Sequence, residues 1–160
     1  MSKLLVNLGC GLVPVPAPTS GGTWQVVNHD LTRHSKHVDV AWDLNILPWP
    51  WADSSVTLVI ATAVLEHLKL TPLESINECW RILKPNGLLR LKLPLWDNEE
   101  SWNDPTHRWH FGHRSLNLFD RSTERGARYG DLYGARPWRI LYQGTIPNGT
   151  CLYARMEAVK

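Results

Sequence analysis

Two glycines and an aspartate near the start of the chain have the spacing of a nucleotide-binding turn. Gly9 and Gly11 directly follow one apolar run, and Asp30 closes a second. Glycine lets the backbone approach a ligand closely, because it has no side chain to hold the ligand off. A carboxylate about 20 residues further on can accept hydrogen bonds from both hydroxyls of a ribose. The pattern predicts a site for a nucleoside-containing ligand, and sites for NAD, FAD and nucleoside sulfonium compounds all share it.

Two histidines are candidates for acid–base chemistry. His67 lies in the segment Leu65-Glu66-His67-Leu68, and His107 closes the segment Asp104-Pro105-Thr106-His107. Imidazole titrates near neutral pH, so either side chain could take a proton from a substrate. Each also has a structural interpretation, since His67 could be a helix-start residue that hydrogen-bonds locally and His107 could anchor a loop.

Two groups of three histidines raise the question of a metal site. Metal sites usually include acidic or cysteine ligands and an ordered second shell, and three histidines at steps of three do not all share one helical face. We therefore expect no metal ion. The two groups are His29, His34 and His37, and His107, His110 and His113.

Local sequence patterns predict the strands, the helix and the turns that position the candidate residues. Thr71-Pro72-Leu73-Glu74 is a capping box with proline at the first helical position, so it predicts a helix start. Pro85-Asn86-Gly87 is expected to end that helix, and Pro147-Asn148-Gly149 predicts a hairpin between the last two strands. Short apolar runs predict strands over residues 3–8, 24–29, 38–42, 56–61, 88–93, 138–143 and 151–158.

Strands joined by crossovers predict an α/β fold of the Rossmann-like type, with a mostly parallel, doubly wound sheet and a C-terminal antiparallel hairpin. Ligands of such sheets lie beyond the carboxyl ends of the strands, near the switch in strand order. No linker or repeat divides the chain, so one domain over residues 1–160 is the simplest organisation. The residues expected at one rim are Gly9, Cys10, Gly11, Asp30, Asp43, Thr62 and Pro94.

The order of the motifs resembles that of the class I S-adenosylmethionine (SAM)-dependent methyltransferases, in particular the methyltransferase-11-like group. The most specific segments are Leu65-Glu66-His67-Leu68 and Arg81-Ile82-Leu83-Lys84-Pro85-Asn86-Gly87, and the resemblance covers roughly residues 4–120. The other segments that carry it are Leu8-Gly9-Cys10-Gly11, Val27-Asn28-His29-Asp30, Trp42-Asp43-Leu44-Asn45, Leu47-Pro48-Trp49-Pro50 and Asp104-Pro105-Thr106-His107.

The resemblance implies that SAM binds along this rim and leaves as S-adenosylhomocysteine (SAH). Asp30 would hold the ribose hydroxyls, and Asp43 would accept from the adenine amino group while the Leu44 N–H faces the ring. Thr62 and Ala63 would line the sulfonium end. The residues expected to bind the cofactor are Leu8, Gly9, Cys10, Gly11, Asp30, Asp43, Leu44, Thr62 and Ala63, and those expected to be catalytic are His67 and His107.

The chain departs from the family after the glycine turn. Family members usually have a helix there, and Pro14, Pro16 and Pro18 oppose one in this chain. The cofactor would then lack the helix dipole beneath it. Thr57 stands where the family usually has an acidic residue, and the chain is short for a subdomain that covers the substrate.

The resemblance implies a methyltransferase that acts on an unidentified small molecule or exposed group. Methyl transfer from a sulfonium needs nucleophile, methyl and sulfur in line, and a general base only where the acceptor must lose a proton. The alternative is a SAM-binding module without turnover, which senses or sequesters the cofactor or serves beside a catalytic partner. An enzyme requires an open cavity beside the methyl group with His67 or His107 in reach, whereas a module would have this space closed or without polar groups.

Composition narrows the setting and the partners. Hydrophobic residues make up 43% of the 160 residues and the formal net charge is +2, so a polyanionic partner is neither required nor excluded. Three separated cysteines, no signal peptide and no long apolar run predict a cytoplasmic protein without a membrane partner.

The nine tryptophans are expected to pack under the loops. Two other interpretations of the tryptophans are less favoured. They could form an aromatic wall for the acceptor or, with the C-terminal arginines, a stacking surface for nucleic acid. A short chain without a lid would either form a homodimer or accept a large substrate on an open face.

Overall fold

The computed structural model describes residues 2–145 and 149–160, and its centre is one seven-stranded sheet. The first five strands pair in parallel, and the last pairs antiparallel with both of its neighbours. The strand order is β3-β2-β1-β4-β5-β7-β6, which confirms the predicted Rossmann-like sheet and its antiparallel end. The strands are β1 (Lys3–Leu8), β2 (Trp24–Asp30), β3 (Val40–Ala41), β4 (Val56–Thr62), β5 (Leu83–Pro94), β6 (Trp138–Thr145) and β7 (Cys151–Ala158).

Among the described residues, two α-helices accompany the sheet, α1 (Pro72–Ile82) and α2 (Glu124–Tyr129). The predicted capping box opens α1, since Thr71 Oγ1 accepts from the Glu74 N–H and the Glu74 carboxylate accepts from the Thr71 N–H at 2.8 Å. Side chains of α1 and of one sheet face form the core. Its fully buried members include Val6, Val59, Ile76, Cys79, Leu89 and Met156. Single 3₁₀ turns cover Leu65–His67, Glu99–Ser101 and Ser115–Phe119.

Two predicted boundaries are wrong. The third strand has two residues, not residues 38–42, because the Asp39 carboxylate accepts from the Asn28 N–H at 2.8 Å and so occupies a donor of β2. The segment Pro85-Asn86-Gly87 does not end α1, because β5 already begins at Leu83 and contains it. Asn86 adopts a left-handed conformation with a φ of 61°, and the register against β4 shifts beside it. Pro147 and Asn148 of the predicted hairpin turn lie outside the described residues.

The connection between β1 and β2 contains no helix, which agrees with its three alternate prolines. Side-chain contacts hold it instead, since the Val15 N–H donates to Asn28 Oδ1 at 3.2 Å. The same Asn28 oxygen accepts from Asn7 Nδ2 at 3.1 Å. The turn before this loop is therefore positioned by buried amides of the sheet and not by a following helix.

In the described part of the chain, every helix is too short or too polar to cross a membrane.

Asp120 joins the segment before α2 to β6. Its carboxylate is buried and accepts from the Ile140 N–H at 2.7 Å and from the N–H and hydroxyl of Ser122 at 2.8 and 2.7 Å. Burial alone would raise the pKa of this carboxyl, but the hydrogen bonds outweigh burial, so the pKa lies below its ordinary value. The ionised carboxylate is therefore the form that stabilises the fold.

Asp120→Asn is expected to lower the free energy of unfolding by about 2 kcal/mol near neutral pH. The folded-state pKa is depressed, so this stability is fully present above the unfolded pKa of about 3.9 and is lost as the pH falls through the folded value. Urea unfolding of both proteins from pH 7 downward should show the difference shrinking below about pH 4. A constant difference would contradict the assignment. Asp131→Asn serves as the control, because that carboxylate is 90% exposed.

Candidate functional site

The glycine turn after β1 requires glycine at its first position. Gly9 has a φ of +59°, and a Cβ there would lie 2.7 Å from Cγ2 of Val64. Gly11 has a φ of +58° with open space around its Cα. Gly9 therefore brings the turn close to the chain that leaves β4, and both residues adopt conformations that are costly for other amino acids.

Asp30 fixes the turn from the end of β2. Its Oδ2 accepts from the Gly11 N–H at 2.8 Å, and its Oδ1 accepts from the Leu31 N–H at 2.7 Å. The Cys10 N–H donates to the His29 carbonyl at 2.8 Å. Burial, and then the nearby Asp30 carboxylate, raise the pKa of the Cys10 thiol. The structure thus brings Leu8, Gly9, Cys10, Gly11 and Asp30 together at one rim.

Two histidines that the sequence analysis did not assign to the site contact the Gly11 carbonyl of this turn. Nε2 of His34 and Nε2 of His37 lie 2.8 and 3.0 Å from the Gly11 carbonyl oxygen. This carbonyl hydrogen bond raises the pKa of His34. His29 meets a different part of the turn, since its Nδ1 accepts from the Gly9 N–H at 3.4 Å while its Nε2 lies 2.9 Å from the Trp42 carbonyl. The three histidines therefore do not form one metal site, and their spacing alone did not reveal that two of them meet Gly11.

Asp43 and Leu44 lie in the turn after β3, on the side expected for adenine. Asp43 Oδ1 accepts from the N–H and the side-chain amide of Asn45 at 2.9 and 2.8 Å. Leu44 is buried, and its carbonyl accepts from Trp49 Nε1 at 2.9 Å. Asn45 Oδ1 in turn accepts from the Lys69 N–H at 2.6 Å. This turn is therefore tied to the segment that carries His67.

Thr62 and Ala63 are exposed at the carboxyl end of β4. Ala63 has a left-handed φ of 50°, and its N–H donates to the Lys92 carbonyl at 2.9 Å. This conformation turns the chain sharply from β4 into the 3₁₀ turn Leu65–His67. The sharp turn places His67 and the exposed Ala63 on the same cavity.

An open cavity of about 870 Å³ lies beyond Ala63. Its wall combines residues after β4, the end of β5, the segment between β5 and the third 3₁₀ turn, and the start of β7. Polar groups line much of it, so it can hold a ligand with hydrogen-bonding atoms. The lining residues are Ala63, Glu66, His67, Lys92, Pro94, Glu100, Asn103, Asp104, Pro105, His107, Thr150 and Cys151.

His67 and His107 meet in this cavity, with ring centroids 4.6 Å apart. Nδ1 of His67 lies 2.8 Å from Thr106 Oγ1, whose proton is donated to Asp104 Oδ1 at 2.6 Å. Nδ1 of His107 lies 3.0 Å from the Ser101 carbonyl, which can only accept. In the neutral form of each ring the proton is therefore on Nδ1 and the lone pair on Nε2. Burial, and then the neighbouring His107, lower the pKa of His67.

Glu66 is the functional candidate that the sequence analysis did not select. Its side chain is fully buried, and neither carboxylate oxygen has a hydrogen-bond partner among the described residues. Burial raises its pKa to about 7. Its carbonyl accepts from the Arg108 N–H at 2.7 Å, which anchors the loop that carries His107. The sequence offered one indication of this role, a charged residue that directly follows the apolar residues Val64 and Leu65.

The tryptophans divide between the core and the loops. Trp49 and Trp51 are buried, as expected. Trp96 and Trp102 are exposed, and Trp102 stacks on His110 with ring centroids 3.7 Å apart. His113 lies beside Asp97, and His110 lies beside Ser101, so the second group of three histidines is also dispersed.

Comparison with known proteins identifies the family of the chain. A family model described as a methyltransferase domain matches residues 6–91, more than half of the chain. No curated protein matches the sequence.

Solved structures share the fold over nearly the whole chain. One is a Haloferax volcanii methyltransferase in a complex with the Trm112 methyltransferase activator, at 14% identity and a TM-score of 0.66, covering 99% of this chain and 83% of that one. A SAM-dependent methyltransferase from Aquifex aeolicus has 15% identity and a TM-score of 0.63, with 98% and 82% covered. The [4+2]-cyclase SpnF has 13% identity and a TM-score of 0.63, with 99% and 75% covered.

At these identities the solved structures establish the fold, and a fold alone does not fix a reaction. The family model adds the sequence relationship that the superpositions lack, since it spans the end of β1, the glycine turn, Asp30 and most of β5. The chain therefore belongs to the methyltransferase domain family, and its fold is that of the class I SAM-dependent methyltransferases.

Proposed function

We propose that the protein transfers the methyl group of SAM to a nucleophile held in the cavity beyond Ala63. The observation that carries this proposal is the open, polar cavity itself, into which His67 and His107 both project. A module that only binds SAM would need no such space. The acceptor is a small molecule or an exposed group of a larger one, with a nitrogen, oxygen or sulfur nucleophile.

The cofactor site runs along the rim from the turn after β3 to Ala63. Asp30 would accept hydrogen bonds from the ribose hydroxyls. Each of its carboxylate oxygens accepts from one backbone N–H and keeps a further lone pair for the ribose. Asp43 and Leu44 would meet the adenine. The methionine part would lie against Leu8, Gly9, Cys10 and Gly11, and the sulfonium against Thr62 and Ala63.

The transfer forms a bond between the acceptor atom and the methyl carbon while the carbon–sulfur bond breaks and SAH leaves as a neutral thioether. The protein's main contribution is to hold these atoms in line. An amine, hydroxyl or thiol must also lose a proton. The Nε2 lone pairs of His67 and His107 border the cavity and are the proposed acceptors of that proton.

Titration of SAM and SAH by calorimetry tests the cofactor site. Wild-type protein is expected to bind both in the micromolar range. Asp30→Ala should abolish measurable binding, because two charge-assisted hydrogen bonds to the ribose are lost. Asp97→Ala is the matched control, since this carboxylate pairs with His113 and is not among the proposed cofactor contacts, so affinity should stay unchanged. Well-folded protein that binds neither ligand would refute the proposal.

We also propose that residues 1–160 act as one domain whose open cavity either receives a large acceptor or is covered by a partner. A second copy of the chain is one such partner. The Haloferax volcanii relative was solved with an activator protein, so a separate subunit is another. Light scattering with and without SAM would distinguish a monomer, which favours the large acceptor, from a dimer.

A further inference from the structure

We infer that Glu66, His67 and His107 bind a divalent transition-metal ion in the wall of the acceptor cavity. One ligand atom from each of the three residues lies within 4.8 Å of the other two. Ligand atoms around a four-coordinate zinc ion are about 3.3 Å apart, given metal–ligand distances of about 2.0–2.2 Å. Side-chain rotations that move these atoms by about an ångström therefore bring all three to bonding distance of one ion.

The hydrogen bonds around the two histidines orient them as metal ligands. A ligating imidazole usually donates its other N–H to a carbonyl, a carboxylate or a similar acceptor, which fixes the tautomer. Here Nδ1 of His107 donates to the Ser101 carbonyl, and Nδ1 of His67 donates to Thr106 Oγ1. Thr106 is itself fixed by Asp104. The Nε2 lone pairs of both rings are thus left for the cavity.

The buried carboxylate of Glu66 supplies the independent indication of a ligand. Its side chain is fully buried and both oxygens lack a hydrogen-bond partner in the described chain. A polar group buried without a partner is costly, and an ionised one more so. A cation held jointly with His67 and His107 would satisfy these oxygens. No other feature of the described residues around Glu66 offers that compensation.

The ligand types select the class of ion. Two imidazoles and one carboxylate suit Zn²⁺, Fe²⁺, Co²⁺ or Ni²⁺ better than Mg²⁺ or Ca²⁺, which prefer oxygen ligands alone. The histidine groups considered in the sequence analysis did not include this set, because it combines one adjacent pair with a residue 40 positions later. The fold brings the two segments together through the hydrogen bond from the Arg108 N–H to the Glu66 carbonyl.

Three protein ligands leave at least one coordination position open to the cavity. An acceptor hydroxyl, thiol or amine bound there would lose its proton more readily, because the ion stabilises the anion that results. In the metal-bound protein this acidity replaces proton removal by the two imidazoles, whose lone pairs then hold the ion. This role rests on the proposed methyl transfer, whereas binding of the ion does not.

Titration of Co²⁺ into chelator-treated protein tests the site directly. Visible absorption reports the coordination geometry, and calorimetry with Zn²⁺ reports stoichiometry and affinity. Wild-type protein should bind one ion per chain and give the intense visible bands of four- or five-coordinate Co²⁺. Glu66→Gln and His107→Gln should each weaken binding by about 10- to 100-fold or more. His113→Gln is the matched control, since His113 lies outside the triad beside Asp97.

The same proteins are then titrated with SAH, which separates the two proposals. Triad variants that keep SAH affinity but lose Co²⁺ support the metal site and show that they are folded. Wild-type protein that binds SAH but no ion, or variants that bind Co²⁺ as the wild type does, would overturn the metal site alone. Wild-type protein that does not bind SAH would refute the proposed function, and the Co²⁺ titration would still decide whether the metal site exists.

Discussion

Replacing Gly9 by alanine is expected to weaken SAM and SAH binding by about 100-fold, or about 2.7 kcal/mol. The left-handed φ of +59° costs a non-glycine residue about 1–2 kcal/mol. The added methyl group would also lie 2.7 Å from Cγ2 of Val64, so the turn must move away from β4. That movement would displace the Gly11 N–H from Asp30 and reshape the proposed binding surface for the methionine part of the cofactor.

Gly22→Ala separates backbone strain from crowding in this experiment. Gly22 also has a left-handed φ, of +98°, but a Cβ there meets no atom within 4 Å. Calorimetric titration with SAH should find its affinity close to that of the wild type. Val64→Ala combined with Gly9→Ala should recover part of the lost affinity, because the crowding Cγ atoms are removed. Equal affinities for Gly9→Ala and Gly22→Ala would show that contact with Val64 does not position the turn.

Glu78→Ala is expected to lower the free energy of unfolding by about 3–5 kcal/mol. Glu78 is buried on α1, and its Oε1 accepts from the Trp49 N–H at 2.7 Å and from Nε and Nη2 of Arg81 at 2.9 and 2.7 Å. Truncation leaves the buried Trp49 N–H without an acceptor, and the partly buried Arg81 guanidinium keeps only the exposed Asp53 carboxylate and the Trp49 carbonyl. Because Trp49 also donates to the Leu44 carbonyl, the loss should loosen the turn expected to hold adenine.

Asp53→Ala is the matched control for Glu78, because it removes the second carboxylate that contacts Arg81. The Asp53 side chain is 78% exposed, so its ion pair should contribute less than about 1 kcal/mol. Urea unfolding followed by far-UV circular dichroism would measure both changes. Similar losses for the two variants would mean that the buried hydrogen bonds of Glu78 contribute little, and would contradict the interpretation.

The parts of the fold that depend on local sequence were predictable. Apolar runs located the strands, the Thr71–Glu74 box fixed the start of α1, and alternate prolines excluded a helix after the glycine turn. The rim followed from topology, because the carboxyl ends of parallel strands meet at one edge. The glycine turn and Asp30 could therefore be expected to meet, and they do so through the hydrogen bond from the Gly11 N–H to the Asp30 carboxylate.

The remaining features depend on contacts between distant side chains. The sequence offers no periodicity that places His34 and His37 on the Gly11 carbonyl, or that buries Glu66 beside a histidine 41 residues away along the chain. The short β3 depends on one Asp39 side chain that occupies a backbone donor of β2. Such hydrogen bonds are selected by the assembled fold, so pattern analysis located the strands better than it located the residues between them.

The place of β7 in the sheet has a consequence for the protein as it is synthesised. β7 is the last strand along the chain, yet it lies between β5 and β6. A chain emerging from the ribosome folds from its N-terminal end, so β6 appears before the strand that must hydrogen-bond to it. Until residues 151–158 have left the exit tunnel, β5 keeps an open edge and β6 has no neighbour in the sheet. A stop codon at the start of β7 would therefore remove two strands from the sheet and expose the edge of β5 to other nascent chains.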